Sequence, residues 1–349
     1  MFLKLTFTLF SDFHYCEGGY IASIADLNAI LDRADASDSD FILSAGDLCN
    51  HMIASPELLK TLHHHRKPDG TILPAYNVYG NHELEGAGNS MEVVTPTLTN
   101  DPDVIWGTPD GKMDANIGYY YFEKNGFRIV ALDSQYSYNS TLGEWEHSQT
   151  ASWGPPAGNS PTNALGPVQL AWLEEVLTDA AGKELPCIVV AHDGFSGLFA
   201  NSSSDAATVR SIFKKVNDRK AGTVRMCING HIHTNHQGYN EGVFYLDMNT
   251  TRNNWWQAKP VDHYTDEMTY PREWYDEEGN LIRITEEPIA SLGMGRHTWF
   301  SADPISTVVT IDENGTIHLD GTESDWIYGV LPPDDIWDGI ECRSSSGVF

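Results

Sequence analysis

Five short polar clusters, each directly after an apolar run, constrain the fold of this 349-residue chain more than any other feature. The runs are short and rich in aliphatic and aromatic residues, so each of them predicts a buried β-strand. The clusters read Asp12-Phe13-His14, Gly46-Asp47, Gly80-Asn81-His82-Glu83, Ala191-His192 and Gly230-His231-Ile232-His233. Because loops at strand ends converge in space, residues scattered through the sequence can meet around one or two metal ions.

Helical patterns separate these strands in the first two-thirds of the chain. Leu5 to Phe10 predicts a strand, and apolar residues then recur at helical spacing from Ile21 to Leu31. Phe41 to Leu43 and Tyr76 to Tyr79 predict two further strands, and the Asn125-Gly126 pair favours a tight hairpin. A parallel start followed by a hairpin and more strands predicts an α/β fold (α+β in some schemes) with two packed sheets and helices outside.

Composition divides the chain into two regions. All five clusters lie within residues 1–250, which we predict to fold as one unit. Residues 251–349 carry many aromatic residues in acidic sequence, and we interpret these as packing residues of a β extension rather than a base-stacking surface. A hairpin signal at Glu313-Asn314-Gly315 supports this extension. Two stretches with little periodicity, Leu84–Ile117 and Ser134–Leu165, follow strand ends, and we expect them to rim the site.

The composition is strongly acidic. The 49 acidic and 21 basic residues give a net charge of -28, which repels polyanions, so we expect no nucleic acid polymer as a partner. No apolar run approaches the roughly 20 residues that a membrane span needs. The five cysteines are odd in number and widely spaced, which argues against a disulfide framework. The expected location is the cytoplasm, with secretion of a longer precursor left open.

Each cluster alone is a weak signal, and their joint occurrence carries the argument. Asp12 and His14, one residue apart at a strand end, can face the same side of the pleat. Asn81 supplies a neutral oxygen ligand and His82 a proton donor, behind a glycine that permits a tight turn. Five such clusters in order, each after a strand, predict a metal-dependent hydrolase.

In order and composition the clusters resemble the signature of the calcineurin-like metallophosphoesterase family: D-x-H, G-D, G-N-H-[DE], a lone H and G-H-x-H. The resemblance covers roughly residues 1–250, and all seven ligand positions are filled. It implies that one metal ion is held by Asp12, His14, Asp47 and His233. It implies a second ion, bridged to the first through Asp47, that is held by Asp47, Asn81, His192 and His231. Imidazole and carboxylate ligands suit Mn, Fe and Zn, and two such ions can share a bridging hydroxide that attacks phosphorus.

The resemblance also implies roles in catalysis and substrate binding. His82 is similar to the family's non-ligand histidine, which stabilises or protonates the departing oxygen. Asp47 and His82 are thus the catalytic candidates, and Glu83 or Asp12 would orient imidazoles. The candidates for substrate contact are Asn81 and His82, together with two residues named from their position alone: His51, four residues after Asp47, and Arg252, which follows the final core strand.

Departures from neighbouring subfamilies narrow the substrate class. Phosphoprotein phosphatases with this signature usually read G-D-x-V-D-R-G and R-G-N-H-E, whereas here Leu48-Cys49-Asn50-His51 follows Asp47, and Tyr79 replaces the second arginine. Their phosphate-clamping arginines are therefore missing. Asn50 stands where purple acid phosphatases place a tyrosine, which argues against an Fe(III)-tyrosinate centre. Leu132-Asp133-Ser134 is similar to the branch that contains small-molecule phosphodiesterases and nucleotide diphosphatases.

The sequence therefore predicts a metal-dependent hydrolase of phosphodiester or phosphoanhydride bonds in a small phosphorylated molecule. Its expected fold is a four-layer αββα sandwich of two mixed β-sheets with flanking helices, plus the C-terminal β extension. A phosphomonoesterase is the alternative, because the ligands do not distinguish one ester bond from two. A non-catalytic scaffold is the alternative of another class, and the presence of all seven ligands disfavours it. The oligomeric state is left open.

Overall fold

Two large β-sheets form the body of the protein, whose computed structural model describes residues 4–15, 21–49, 55–84, 90–147, 163–198, 203–255, 262–292, 298–332 and 341–349. In spatial order, the six-stranded sheet contains β19 (Gly347–Val348), β18 (Ile317–Gly321), β17 (Thr307–Ile311), β1 (Leu5–Phe10), β2 (Phe41–Ser44) and β3 (Ala75–Asn77). The seven-stranded sheet contains β11 (His236–Asn240), β12 (Val243–Asp247), β10 (Val224–Asn229), β9 (Cys187–Val190), β6 (Phe127–Ala131), β5 (Tyr120–Lys124) and β4 (Ile105–Trp106).

Helices and small ribbons surround the two sheets. The helices within the described ranges are α1 (Ile24–Ala36), α2 (Pro56–His63), α3 (Met91–Val94), α4 (Gly166–Gly182) and α5 (Ala206–Arg219), with short 3-10 turns at Thr95–Thr97, Ile289–Ser291 and Ile327–Gly329. None of the helices in these ranges has the length and apolarity that crossing a membrane requires. The two-stranded ribbons pair β7 (Tyr136–Asn139) with β8 (Glu144–His147), β13 (Asn253–Trp255) with β16 (Thr298–Phe300), and β14 (Thr269–Tyr275) with β15 (Leu281–Pro288).

Both large sheets are mixed. β1, β2 and β3 run parallel, and β17 is antiparallel to β1. In the second sheet β6, β9, β10 and β12 run parallel, whereas β5 and β11 run antiparallel to their neighbours. The predicted α/β fold with two mixed sheets is therefore confirmed. The carboxyl ends of the parallel strands in each sheet lie at one edge, where loops from different parts of the chain meet.

The two sheets enclose a shared core and carry helices on their outer faces. Along β9, Ile188 and Val190 belong to the core that also contains β1 and β2, whereas Cys187 and Val189 belong to a second core with α4 and α5. Because strand side chains alternate between faces, β9 is buried on both sides. On the opposite side of the molecule α1 lies against β1 and β2. The layers thus follow the order helix, sheet, sheet, helix.

The C-terminal region adds strands to the first sheet. The predicted hairpin is confirmed as β17 and β18, and β17 pairs with β1 from Leu5 opposite Ile311 to Leu9 opposite Thr307. Other residues after position 250 form a separate apolar cluster that includes Tyr264, Tyr270 and Phe300. The boundary at residue 250 stays a prediction, and the chain beyond it lies partly within the first sheet and partly in this cluster.

The stretch Ser134–Leu165, which showed no clear period, contains the β7–β8 ribbon. Its side chains are mostly polar and half-buried or exposed, so the ribbon lacks the apolar face that makes a strand recognisable. Residues 148–162 lie outside the described part of the chain. Tyr136 also bridges to Ala164, which places the start of α4 beside the ribbon.

Candidate metal centre

The five clusters meet at the carboxyl ends of parallel strands from both sheets. The residues that follow each strand are Asp12 and His14 after β1, Asp47 after β2, Asn81 and His82 after β3, His192 after β9, and His231 and His233 after β10. Both sheets direct these ends to the same place, so the predicted convergence of the seven ligand-type residues is what the structure shows.

The backbone of the centre is strained. Five of its residues have positive φ: 49° at Asp12, 52° at His14, 51° at Asp47, 68° at His231 and 52° at His233. L-residues rarely adopt this left-handed conformation, which costs on the order of 1–3 kcal/mol at each position. Strain of this kind persists where the surrounding structure enforces it, and its concentration here indicates a functional centre.

Two glycines allow the loops to approach each other. A Cβ atom at Gly80 would lie 2.1 Å from Asp47 Oδ1 and 2.6 Å from Asp47 N. A Cβ atom at Gly230 would lie 2.1 Å from Ser11 Oγ and 2.8 Å from Asp12 Oδ2. All four distances are shorter than an ordinary contact of a Cβ atom, so close packing against Asp47 requires glycine in the loop after β3, and close packing against Ser11 and Asp12 requires it in the loop after β10.

Asp12, His14 and His233 form the first group of ligand-type side chains, and all three are at most 1% exposed. His233 Nε2 lies 3.1 Å from Asp12 Oδ1, and His14 Nε2 lies 3.2 Å from His233 Nε2. The ligand atoms of the group lie within 4.8 Å of one another, a spacing that allows a single metal ion. His14 Nε2 also lies 3.8 Å from Asp47 Oδ2, which places Asp47 beside this group.

Asp47, His192 and His231 form the second group, again with ligand atoms within 4.8 Å of one another. His192 Nε2 lies 3.1 Å from Asp47 Oδ2. Asn81 Oδ1 lies 3.2 Å from His192 Nε2 and 3.0 Å from His231 Nδ1. Asp47 therefore lies between the two groups, where a bridging ligand would be, and the His231 side chain is 25% exposed at the open side.

Backbone carbonyls set the tautomer of two of these histidines. His192 Nδ1 lies 2.8 Å from the carbonyl oxygen of Ala45, and His233 Nδ1 lies 2.7 Å from that of Asn253. A carbonyl oxygen only accepts hydrogen bonds, so each Nδ1 carries the proton. Both Nε2 lone pairs then face carboxylate oxygens at 3.1 Å, which is repulsive unless Nε2 binds a proton or a metal ion. A set of deprotonated imidazole nitrogens and carboxylates fits a metal ion.

Charges within the centre favour ionised carboxylates. Burial alone would raise the pKa of Asp12, but His233 and His192 outweigh it and lower that pKa to about 2. The pKa of Asp47 lies well below its usual range, because neighbouring imidazoles, His192 first, outweigh burial. Burial lowers the pKa of His14 to about 3, so this imidazole is neutral at pH 7. Ionised carboxylates and a neutral imidazole are the protonation states that metal binding requires.

Comparison with known proteins agrees with this geometry. A model of the calcineurin-like phosphoesterase family matches residues 5–235, which is more than half of the chain. The chain belongs to this family. The calcineurin-like phosphoesterases are dinuclear metal-dependent hydrolases of phosphoesters, and the His and Asp groups described above are able to bind metal.

Several solved structures are similar to this chain at low sequence identity. A dimetal phosphatase from Danio rerio is 16% identical with a TM-score of 0.56, and the match covers 93% of this chain and 98% of that one. GAP50, the anchor in the inner membrane complex of Plasmodium, is 11% identical with a TM-score of 0.46, covering 99% and 90% of the two chains. A 5'-nucleotidase from Staphylococcus aureus is 14% identical with a TM-score of 0.43, covering 96% and 56%. No curated protein sequence matches this calcineurin-like phosphoesterase significantly.

Glu83 holds two of the loops together. Its carboxyl oxygens accept hydrogen bonds from the backbone N–H groups of Asp47 at 3.1 Å, Leu48 at 2.7 Å and Gly80 at 2.7 Å. Burial, and then the nearby Asp47 charge, raise the pKa of Glu83 to about 7. These bonds go to backbone groups, so they join the loops after β2 and β3. The predicted role of Glu83 or Asp12 in orienting imidazoles stays a prediction.

His82 lies against the first group. Its backbone N–H donates to Asp47 Oδ1 at 2.9 Å, and its Nε2 lies 3.9 Å from Asp47 Oδ2. The rings of His82 and His14 meet edge to face with centroids 4.9 Å apart. Together with His14 and Asp47 it forms a third set of ligand atoms within 4.8 Å, so the geometry accommodates His82 either as a ligand or as a proton donor.

One predicted substrate contact, Arg252, is not among the residues that the structure brings together. Arg252 donates from Nη1 to Asp26 Oδ1 at 2.8 Å, from Nε to the Ser301 carbonyl at 3.0 Å and from Nη2 to the Ala302 carbonyl at 2.8 Å. Asp26 belongs to the capping box with Ser23 that begins α1. Each guanidinium nitrogen of Arg252 thus already donates to an acceptor within the protein, which indicates a structural role for this side chain. His51 lies outside the described residues.

Sequence reasoning missed two partners of the centre. The Asn253 carbonyl that holds His233 gives no signal in the sequence, since any residue carries a carbonyl group. Asp193 lies 3.9 Å from His231, and the signal that points to it is its position directly after His192.

Proposed function

We propose that this calcineurin-like phosphoesterase hydrolyses a phosphodiester or phosphoanhydride bond in a small molecule with the help of two metal ions. The observation that carries the proposal is the pair of buried Nε2 atoms, of His192 and His233, that lie 3.1 Å from carboxylate oxygens. The backbone carbonyl holds one proton of each ring on Nδ1, so Nε2 is the nitrogen that faces the carboxylate and the one that would bind a cation there. Two positions for a divalent or trivalent cation thus lie on either side of Asp47.

The proposed ligand sets follow the two groups. The first ion would be held by Asp12, His14, Asp47 and His233, and the second by Asp47, Asn81, His192 and His231. Bound Mn, Fe or Zn would lower the pKa of a shared water and neutralise charge on the phosphoryl oxygens. Asp47 holds the two positions together, and its own place is fixed by the backbone bond from His82.

His82 is proposed to protonate the departing oxygen. The side chain is 5% exposed, and its Nε2 lies on the Asp47 side of the centre. A proton donor in this place matters most when the leaving group is a poor one, because that oxygen needs the proton to depart. Asn81, beside His192 and His231, would contact the phosphoryl group at the more open side.

A small substrate is favoured by two features. The net charge of -28 opposes the approach of polyanions, whereas bound cations would reverse the potential locally for a single phosphate group. Tyr79, at the position of the missing clamp arginine, is fully buried, and its hydroxyl pairs with Thr95 Oγ1 at 2.9 Å. It is therefore not available to hold a phosphoprotein's phosphate.

A comparison of two artificial substrates tests the proposal. The wild-type chain with added Mn²⁺ would be assayed on bis-p-nitrophenyl phosphate and on p-nitrophenyl phosphate at several pH values. We expect a higher kcat/KM for the diester, and no turnover of either substrate after metal removal. A preference for the monoester at every pH would favour the phosphomonoesterase alternative, and full activity without metal would contradict the proposal altogether.

A further inference from the structure

Asp193 carries a buried carboxylate that neither proposed ligand set uses. The residue is fully buried, and three neutral donors bond its side chain. Oδ2 accepts from Ser134 Oγ and Gln135 Nε2, and Oδ1 accepts from Asn163 Nδ2, each at 2.7 Å. An ionised carboxylate offers about four lone-pair sites, so one site on Oδ1 remains for another donor.

The remaining site lies next to His231. His231 Nε2 is 3.9 Å from Asp193 Oδ1, and this is the sole ion contact of Asp193 within the part of the chain that the structure describes. The opposite ring nitrogen, Nδ1, lies 3.0 Å from Asn81 Oδ1 and 3.3 Å from His192 Nε2. The imidazole of His231 is thus placed between Asp193 on one side and the metal centre on the other.

The other histidines of the second sheet show what such a contact does. His192 and His233 each direct Nδ1 to a backbone carbonyl and Nε2 to the centre. His231 is turned the opposite way, with Nδ1 to the centre, and a carboxylate stands where the others have a carbonyl. Its side chain is also 25% exposed, against 0% and 1% for the other two, so less packing holds its ring.

We propose that Asp193 is the positioning residue of His231. It keeps the proton on Nε2, so that Nδ1 presents its lone pair to the second metal ion, and this inference rests on the dinuclear function proposed above. Carboxylates behind ligating imidazoles fix the tautomer and strengthen the ligand, and their loss costs about 10–100-fold in metal affinity. The donors Ser134, Gln135 and Asn163 are 0%, 3% and 7% exposed, and they hold the carboxylate in place.

Binding of Mn²⁺ to the metal-depleted full-length chain tests this role without any assay of activity. Electron paramagnetic resonance of free Mn²⁺ during a titration resolves a first and a second affinity. We expect Asp193→Asn, which removes the charge at nearly constant size, to weaken the second affinity about 10–100-fold and to leave the first unchanged. Ser134→Ala, which removes one donor to the carboxylate, should cause a smaller loss in the same direction.

Asp247→Asn is the matched control. Asp247 ends β12 in the same sheet and is 1% exposed. Among the residues that the structure describes, neither of its oxygens accepts a hydrogen bond, and Oδ2 lies 3.8 Å from His236 Nδ1. It is thus a buried carboxyl at the same edge that holds no ligand of the centre. The control variant should bind both ions as the wild type does.

A double-mutant cycle with His231→Ala separates positioning from a general structural role. If Asp193 acts through His231, adding Asp193→Asn to His231→Ala causes no further loss of the second affinity. Losses that multiply, or an unchanged second affinity in Asp193→Asn alone, would overturn the inference. Ser134→Ala replaces Asp193→Asn in the cycle if the latter variant does not fold. A wild-type chain that binds fewer than two Mn²⁺ ions would instead contradict the proposed function, so the two failures are distinguishable.

Discussion

The two halves of the metal centre differ in burial and in the way their histidines are held. The buried half, formed by Asp12, His14 and His233, has no side chain more than 1% exposed. The open half, formed by Asn81, His192 and His231, includes a half-buried amide and the 25% exposed imidazole of His231. Asp47 joins the halves, with its Oδ2 3.8 Å from His14 Nε2 and 3.1 Å from His192 Nε2.

This difference indicates that the two halves have different functions: the buried half binds an ion firmly, and the open half admits the substrate. A fully enclosed set of ligands holds an ion firmly. A partly exposed set admits a phosphoryl group, and its imidazole then needs an anchor such as the Asp193 carboxylate instead of dense packing. We expect the ion of the open half to bind more weakly and to be the first one that a chelator removes.

The largest expected effect is that of Asp47→Asn, since this residue joins both halves. Replacing the bridging carboxylate by a neutral amide should lower turnover at least about a thousandfold, because metal-assisted charge stabilisation is worth several kcal/mol. Elemental analysis should show less than two ions per chain, while circular dichroism shows an intact fold. Full activity in this variant would mean that the halves do not share a bridge.

His82→Ala distinguishes a proton donor from a ligand of the buried half. As a proton donor, its loss should slow hydrolysis about 10²–10⁴-fold, most for substrates with poor leaving groups, with both ions retained. The measurement is a series of aryl phosphodiesters of increasing leaving-group pKa, together with metal content. Loss of an ion would make His82 a ligand, and equal slowing across the series would exclude proton donation.

Gly80→Ala should displace Asp47, which joins the two halves, and should remove no ligand and no proton donor. A Cβ there would overlap Asp47 Oδ1 and N, so we expect about 1–3 kcal/mol of destabilisation and weaker metal binding. Gly182→Ala at the end of α4 is the control, since a Cβ at Gly182 meets nothing within 4 Å. Thermal unfolding of both variants, with and without Mn²⁺, measures the difference. Equal stabilities would show that the loops after β2 and β3 have room to separate.

Asp247 extends the comparison to a buried carboxyl outside the metal centre, and its replacement should leave turnover unchanged. Burial raises the pKa of Asp247 to about 7, above the value of about 3.9 in an unfolded chain. The folded chain therefore binds the extra proton between these values, so stability falls as the pH rises from about 4 to about 7. Urea unfolding of Asp247→Asn should show a gain on the order of 4 kcal/mol at pH 8 that disappears near pH 4, since each unit of pKa shift corresponds to about 1.4 kcal/mol. A gain independent of pH would contradict this origin.

The sequence predicted the members of the centre better than their surroundings. Asp12, Asp47 and His192 could be placed together because each follows a strand, and the ends of parallel strands share an edge. The contact between His233 and the carbonyl of Asn253 could not be predicted, because every residue carries a backbone carbonyl and the sequence does not mark which one is used. The hydrogen bonds to the Asp193 carboxylate could not be predicted either, because they come from residues such as Asn163 that approach Asp193 only when the chain folds.

Strand order was the part of the fold that local patterns did not reveal. Alternation in Thr307–Ile311 predicts a strand but not its partner, and the structure pairs it with β1 from the other end of the chain. The β7–β8 ribbon was missed because its residues, such as Ser137 and Glu146, form no apolar face. The position of Arg252 after a core strand predicts a substrate contact, whereas its guanidinium pairs with Asp26, which lies 226 residues earlier.

Counting the Mn²⁺ ions bound to the wild-type chain, and testing whether they are magnetically coupled, examines the central claim most directly. The structure predicts two ions per chain and a spin-coupled electron paramagnetic resonance spectrum, as expected for ions about 3.5–4 Å apart that share a bridging carboxylate. Stepwise chelation should remove the open-half ion first and leave the spectrum of one isolated ion. A single ion per chain, or two ions without coupling, would contradict a centre built on both sides of Asp47.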